Sequence, residues 1–287
     1  MQNTESLLKI KSVKNPFDGS LLVVPNDGQP HPGVILLHGS EGGHFPAWKI
    51  SATRLAAHGY AVLAYCYFGA KDFFTGPRQT LGDIEIMDLV KAITWLKNSE
   101  FVAGKKIALD GTSRGAELAL LTASLLGENQ ELVALDALSM HSLSDIVWDS
   151  WNWDWVDDRC WIGKTPSYDE LLNSPENFQW NPKCGPDPRN LPENLKYAWK
   201  WQGQPILPFE PIKAENIKAP VFLTHGADDP IWSADQARRV EKKLNDSGIY
   251  NEAIYFDREG HSLNIDASLI RSEKLLQFYQ RFLKSEQ

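Results

Sequence analysis

Short apolar runs recur along the chain: LLVVP from position 21, GVILLHG from 33, AVLAYCYF from 61, KKIALDG from 105, LVALDALS from 132, PVFLTHG from 220 and NEAIYFD from 251. Most are near-continuous rather than alternating, which is how strands buried on both faces read. Helical periods lie between several of them. Across residues 81–98, Ile86, Leu89, Val90, Ile93 and Leu96 follow the i, i+3, i+4, i+7 spacing of one apolar helix face. Ser233 is placed to cap a later helix whose inner face is Ala237, Val240 and Leu244, with Gly248 as its stop. Strands alternating with helices need crossover connections, so the pattern predicts an α/β architecture: a mostly parallel twisted sheet with helices on both faces. Such sheets gather functional groups at the carboxyl ends of their strands.

The alternation lapses between about residues 140 and 215, where VWDSWNWDWVDDRCW, FQWNPKCGPDP and YAWKWQGQPILPF show neither period. Eight of the eleven tryptophans fall between Trp148 and Trp201, so aromatic surface is concentrated where the sheet is interrupted. We read this stretch as a Trp-rich cap inserted after the strand at 132. It divides the core into a first part, 1–139, and a second part, 216–287. Tryptophan there serves either a small local core or an aromatic wall facing a ligand, with Trp151 and Trp155 as candidate substrate-binding residues.

Composition narrows the function classes. The 287 residues carry a formal charge of −8 with no cluster of Lys and Arg, which argues against a nucleic-acid partner. No stretch approaches the roughly 20 apolar residues of a membrane span, and the N-terminus shows no leader pattern. Cys66, Cys160 and Cys184 form no C-x-x-C pair, and their odd number suits reduced thiols in a cytoplasmic protein, with a Cys160 to Cys184 bridge as the weaker alternative. Oligomeric state is not legible at this level.

The chemistry starts at IALDGTSRGAELALL, residues 107–121, where a serine stands between two glycines as an apolar strand gives way to helix formers. A turn this sharp needs small residues at Gly111 and Gly115, and it lifts the Ser113 hydroxyl clear of the sheet as a nucleophile elbow. A serine at its free pKa also needs a base and a group to orient that base. His261, in DREGHSLN, follows the last predicted strand; Asp229, in THGADDPIW, follows the strand at 220, with Asp228 as the rival acid. The order Ser113, Asp229, His261 is that of the α/β-hydrolase arrangement. The loop in VILLHGSEGGH supplies the Ser40 amide as an oxyanion donor beside the amide of Arg114. Glycines at 39, 42 and 43 do not make a dinucleotide loop, and His38 and His44 lack partners at metal-ligand spacing. We therefore expect no metal and no cofactor, and a structural role for His38.

Together, PGVILLHGSEGG, RLAAHGYAVLAYCYF, DGTSRGAELALLTASLL and IKAPVFLTHGADDPIW resemble the catalytic domain of the acyl-CoA thioester hydrolase and bile acid-CoA:amino acid N-acyltransferase family. The likeness covers about 30–126 and 206–265. It implies an α/β-hydrolase fold with Ser113, Asp229 and His261 as a triad acting on a small acyl thioester, and it marks Trp232, after the paired acids, as a third candidate substrate-binding residue. Members that transfer the acyl group to an amine carry cysteine at the nucleophile position, so Ser113 implies transfer to water. The same core resembles dienelactone-hydrolase-like and carboxylesterase sequences, which implies an ester hydrolase without a CoA requirement as the alternative. A non-catalytic ligand-binding protein on the same fold is a third reading.

Overall fold

The computed structural model describes residues 7–69, 79–166, 170 and 174–284. Eight strands form one sheet: β1 (Ile10–Val13), β2 (Leu21–Pro25), β3 (His31–Leu37), β4 (Ala61–Tyr65), β5 (Val102–Thr112), β6 (Ala137–His141), β7 (Val221–Gly226) and β8 (Asn251–Phe256). Their order is β1-β2-β4-β3-β5-β6-β7-β8. Pairing is antiparallel for β1 with β2 and β2 with β4, and parallel from β4 through to β8.

Period-two alternation along the buried strands sends side chains to two apolar layers. On one face Val34, Leu36, Val62 and Phe222 pack with Trp48, Ala52 and Leu55 of α1 (Ala47–Ala57) and with Leu275 and Phe278 of α5 (Ile265–Tyr279). On the other, Ile35, Leu37, Leu63, Leu109 and Leu223 pack with α2 (Ile86–Lys97), α3 (Arg114–Glu128) and α4 (Ala234–Asp246). Ser233 caps α4 by accepting the Asp235 amide, and Gly248 follows that helix at φ 68°. This is the α/β-hydrolase architecture expected from the pattern.

Two expectations shift. Residues 10–13, absent from the apolar runs because their side chains are mostly exposed, form the sheet edge against β2. β6 begins at Ala137, not 132, because Asp136 stands at its entrance, bound to Lys97 and Lys106 and accepting the Ile107 amide.

Between β6 and β7 the described residues form 3-10 turns, among them Trp153–Val156, Asp158–Cys160 and Glu193–Leu195, and strands of two or three residues. One of these, Trp199–Trp201, pairs in parallel with Ile84–Glu85, just ahead of α2. Cys160 and Cys184 are joined in a disulfide, so the pairing taken as the weaker alternative is the one formed, and Cys66 is the free thiol. The short pair Trp161–Ile162 with Gln179–Trp180 folds the chain back on itself beside the bridge. Among the described residues no helix is long and apolar enough to cross a membrane.

Candidate active site

Ser113 is the single residue between β5 and α3, and it adopts φ 54° and ψ −126°. A non-glycine residue at positive φ costs on the order of 1–3 kcal/mol and persists only where its surroundings impose it. The Ser113 amide donates to the His141 carbonyl on β6, and the Ser113 carbonyl accepts the Ala116 and Glu117 amides of the first helical turn. Side chains beyond hydrogen are excluded on both sides of the elbow. A Cβ on Gly111 would lie 2.1 Å from the Gly115 carbonyl oxygen, and one on Gly115 would lie 2.3 Å from that of His38.

The loop after β8 brings His261 to this corner. Its Nε2 lies 2.8 Å from Ser113 Oγ and its Nδ1 lies 2.7 Å from Asp229 Oδ2. A carboxylate only accepts, so Nδ1 carries the ring hydrogen and Nε2 presents a lone pair to the hydroxyl. The structure therefore brings together Ser113, His261 and Asp229, while Asp228 is exposed and uses its amide on the Glu259 carbonyl. Asp229 Oδ1 accepts the Ile231 and Trp232 amides at 2.8 and 3.1 Å, and His225 Nε2 stands 3.2 Å from Oδ2. Burial works to raise the pKa of this carboxyl, but the histidine and amide donors outweigh it and hold the group well below the usual carboxylate range.

The loop after β3 lies against the elbow, close enough that a Cβ on Gly39 would touch Ser113 Cβ at 3.2 Å. Neither the Ser40 nor the Arg114 amide donates to a protein acceptor among the described residues. The peptide carrying the Ser40 N–H is fixed from its other end, since buried His38 donates through Nδ1 to the Gly39 carbonyl at 2.9 Å. His38 stacks on Tyr67, ring centroids 4.2 Å apart, and the Tyr67 hydroxyl donates to the His38 carbonyl. Burial drives the His38 pKa down to about 3. His44 Nδ1 meets the Gly69 carbonyl at 3.0 Å. The carboxylates Asp154 and Asp157 converge on Cys160, whose sulfur is committed to the disulfide and offers no thiolate.

Of the three candidate tryptophans, Trp232 packs edge-on against His261, with ring centroids 5.8 Å apart, and stacks on Trp148. Trp151 and Trp155 instead pack on each other, and Trp155 Nε1 donates to the Pro186 carbonyl. From the Trp-rich segment, Trp153 reaches the loop after β3, and its Nε1 donates to the Ser40 carbonyl at 2.7 Å. Sequence reasoning also missed a buried ion pair. Arg114 Nη1 lies 3.0 Å from Glu117 Oε2, Arg114 Nη2 donates to the Asp149 carbonyl, and Glu117 Oε1 accepts from the Trp148 amide and Trp199 Nε1. Their spacing on α3, one turn apart beside an elbow, was the available signal.

This fold, with a serine on the strand-to-helix corner and a histidine and carboxylate on neighbouring strand ends, defines an α/β-hydrolase. By sequence the chain is similar to the BAAT / acyl-CoA thioester hydrolase C-terminal family over residues 86–161, and to the dienelactone hydrolase family over residues 190–275. The first match contains Ser113, the second Asp229 and His261. The chain is 28% identical over 247 residues to acyl-coenzyme A thioesterase 6 of Mus musculus, covering 85% of this chain and 51% of that protein. It thus spans about half the length of that relative. Among solved structures it is similar to a puromycin-hydrolyzing peptidase of Mycobacterium tuberculosis (TM-score 0.60, 16% identity, 99% of this chain and 41% of that one). It is likewise similar to a putative dienelactone hydrolase of Klebsiella pneumoniae (TM-score 0.58, 14% identity, 96% of this chain and 99% of that one).

Proposed function

We propose that the protein is a serine hydrolase that cleaves a small acyl thioester or carboxylic ester through an acyl-enzyme. The observation that carries this reading is the unbroken chain of two hydrogen bonds from Ser113 Oγ through His261 to Asp229. Ser113 Oγ attacks the acyl carbonyl as His261 Nε2 takes its proton, and Asp229 holds the ring in the required tautomer and stabilises its charged form. The Ser40 and Arg114 amides receive the oxyanion. As the tetrahedral centre collapses, His261 returns the proton to the leaving thiol or alcohol. Water then attacks the acyl-serine with the same base, releasing the acid and restoring the hydroxyl. Residues 140–215 act as a cap, with Trp232 and Trp148 forming the aromatic wall on the His261 side.

Two observations bear on the leaving group. The family match over the nucleophile and the thioesterase relative favour an acyl thioester. The dienelactone hydrolase match over the acid and base favours an ester without CoA. Comparing kcat/KM on acyl-CoA substrates with that on p-nitrophenyl esters of the same acyl chains separates them: a preference of at least tenfold for the thioester is expected, and no acyl-CoA turnover beside rapid ester turnover would overturn it. A cytoplasmic protein would carry Cys160 and Cys184 as thiols, whereas an oxidising compartment keeps the bridge. A thiol count on protein isolated under alkylating conditions decides between them.

A further inference from the structure

The acid of this site has two histidine neighbours, and, building on the triad reading above, we propose that His225 is a positioning residue that sets the basicity of His261 through their shared hold on Asp229. His225 lies on β7, four residues before the acid, and is fully buried. Its Nε2 stands 2.8 Å from the Trp232 carbonyl and 3.2 Å from Asp229 Oδ2. Both are pure acceptors, so Nε2 carries the hydrogen, which it donates to the Trp232 carbonyl with Asp229 Oδ2 alongside. The other nitrogen, Nδ1, is buried and meets no partner among the described residues.

An orphaned buried nitrogen costs stability, and an apolar side chain of similar size would avoid that cost. Closing the turn does not require the imidazole, because Asp229 Oδ1 already ties residues 229–232 by accepting two amides. What the ring adds beyond its bond to the Trp232 carbonyl is an N–H 3.2 Å from Oδ2, the oxygen that also accepts His261 Nδ1–H. An N–H dipole this close to the shared oxygen offsets part of its charge, which weakens the pull of the carboxylate on a protonated His261. Other titratable and charged groups surround the pair. His141 on β6 and Arg271 on α5 both bond Thr224, Tyr255 is the β8 partner of His225 in the ladder, and Asp228 and Glu259 flank the loop mouths. None of these bonds the Asp229 carboxylate among the described residues, so the effect runs through His225 itself.

The test is an NMR titration of the His261 imidazole in the full chain and in three variants. His225→Leu removes the donor, His225→Asn leaves one only at the δ position, and His225→Gln restores one at the ε position. Expected is a rise of about half to one pH unit in the His261 midpoint, a three- to tenfold change in its protonation equilibrium, for the Leu and Asn variants, and none for Gln. If Leu does not fold, Asn carries the test, since both lack a donor at Oδ2. A midpoint unchanged in the folded donor-less variants, or moved to lower pH, overturns the proposal. The titration needs no substrate, so it is distinct from the triad reading, which fails instead if Ser113→Ala retains full turnover.

Discussion

The sheet and the Trp-rich segment between β6 and β7 are held together by different bonds. In the sheet, backbone amides pair with backbone carbonyls across parallel ladders, and near-continuous apolar strands fill two layers with helices. In the segment, side chains do much of that work. Trp155, Trp161 and Trp180 donate through Nε1 to the Pro186, Trp155 and Gly185 carbonyls. Asn152, Asp157 and Asp187 each accept the amide two residues on, at the starts of 3-10 turns. A disulfide closes the span from 160 to 184. Repetitive backbone pairing makes a rigid platform for a strained serine. Side-chain pairing makes a less regular surface, joined to the platform at Trp153, at the Arg114–Glu117 pair and through Val147, Ala198 and Trp199, which are buried in the same apolar layer as α2 and α3.

The contrast breaks most severely at the elbow. Gly115→Ala puts a Cβ against the β3 backbone rather than against a flexible side chain, and a loss of about 3 kcal/mol or more is expected in chemical denaturation, together with loss of activity. Unchanged stability would mean that α3 and β3 are less closely joined than described. Next in size is the paired change Cys160→Ser with Cys184→Ser. Removing a bridge with a sequence separation of 24 releases loop entropy of about 3 kcal/mol. If the two regions are separable, hydrogen exchange quickens in residues 150–190 by about a hundredfold while β3 and β5 keep their protection; equal loosening of both would contradict the contrast.

The third effect is a slope with pH, small at each step. Burial keeps native His38 neutral down to about pH 3, whereas the unfolded ring takes a proton below about 6.5. The unfolded state then binds more protons, so stability falls on acidification by about 1.4 kcal/mol per pH unit across that window. His38→Asn keeps a donor for the Gly39 carbonyl and cannot titrate. The stability difference between wild type and variant should narrow at that slope as pH drops from 6.5, and parallel curves would show that His38 is not buried in neutral form.

The same contrast explains what could be read from the chain. The strands from 21 to 256 follow from near-continuous apolar runs, the helix over 86–97 from its 3.6 period, and the placing of Ser113, Asp229 and His261 from the strand ends these create. The edge strand at 10–13 carries no such period because its side chains face solvent. Nor could periodicity tell which tryptophans serve the segment's own packing and which touch the site: Trp151 and Trp155 read the same as Trp153, and only the fold directs one indole to Ser40. The Cys160–Cys184 pair is legible in the sequence only as the weaker alternative, since the hairpin that brings the two together is two residues deep on each side.

The central claim is that Ser113 is an activated nucleophile, and intact-protein mass spectrometry after fluorophosphonate treatment tests it without a guess at the substrate. One adduct on the wild-type chain and none on Ser113→Ala is the predicted result, with turnover in that variant down by about 10⁴- to 10⁶-fold. No adduct on folded wild-type protein, or the same adduct on Ser113→Ala, would contradict the account.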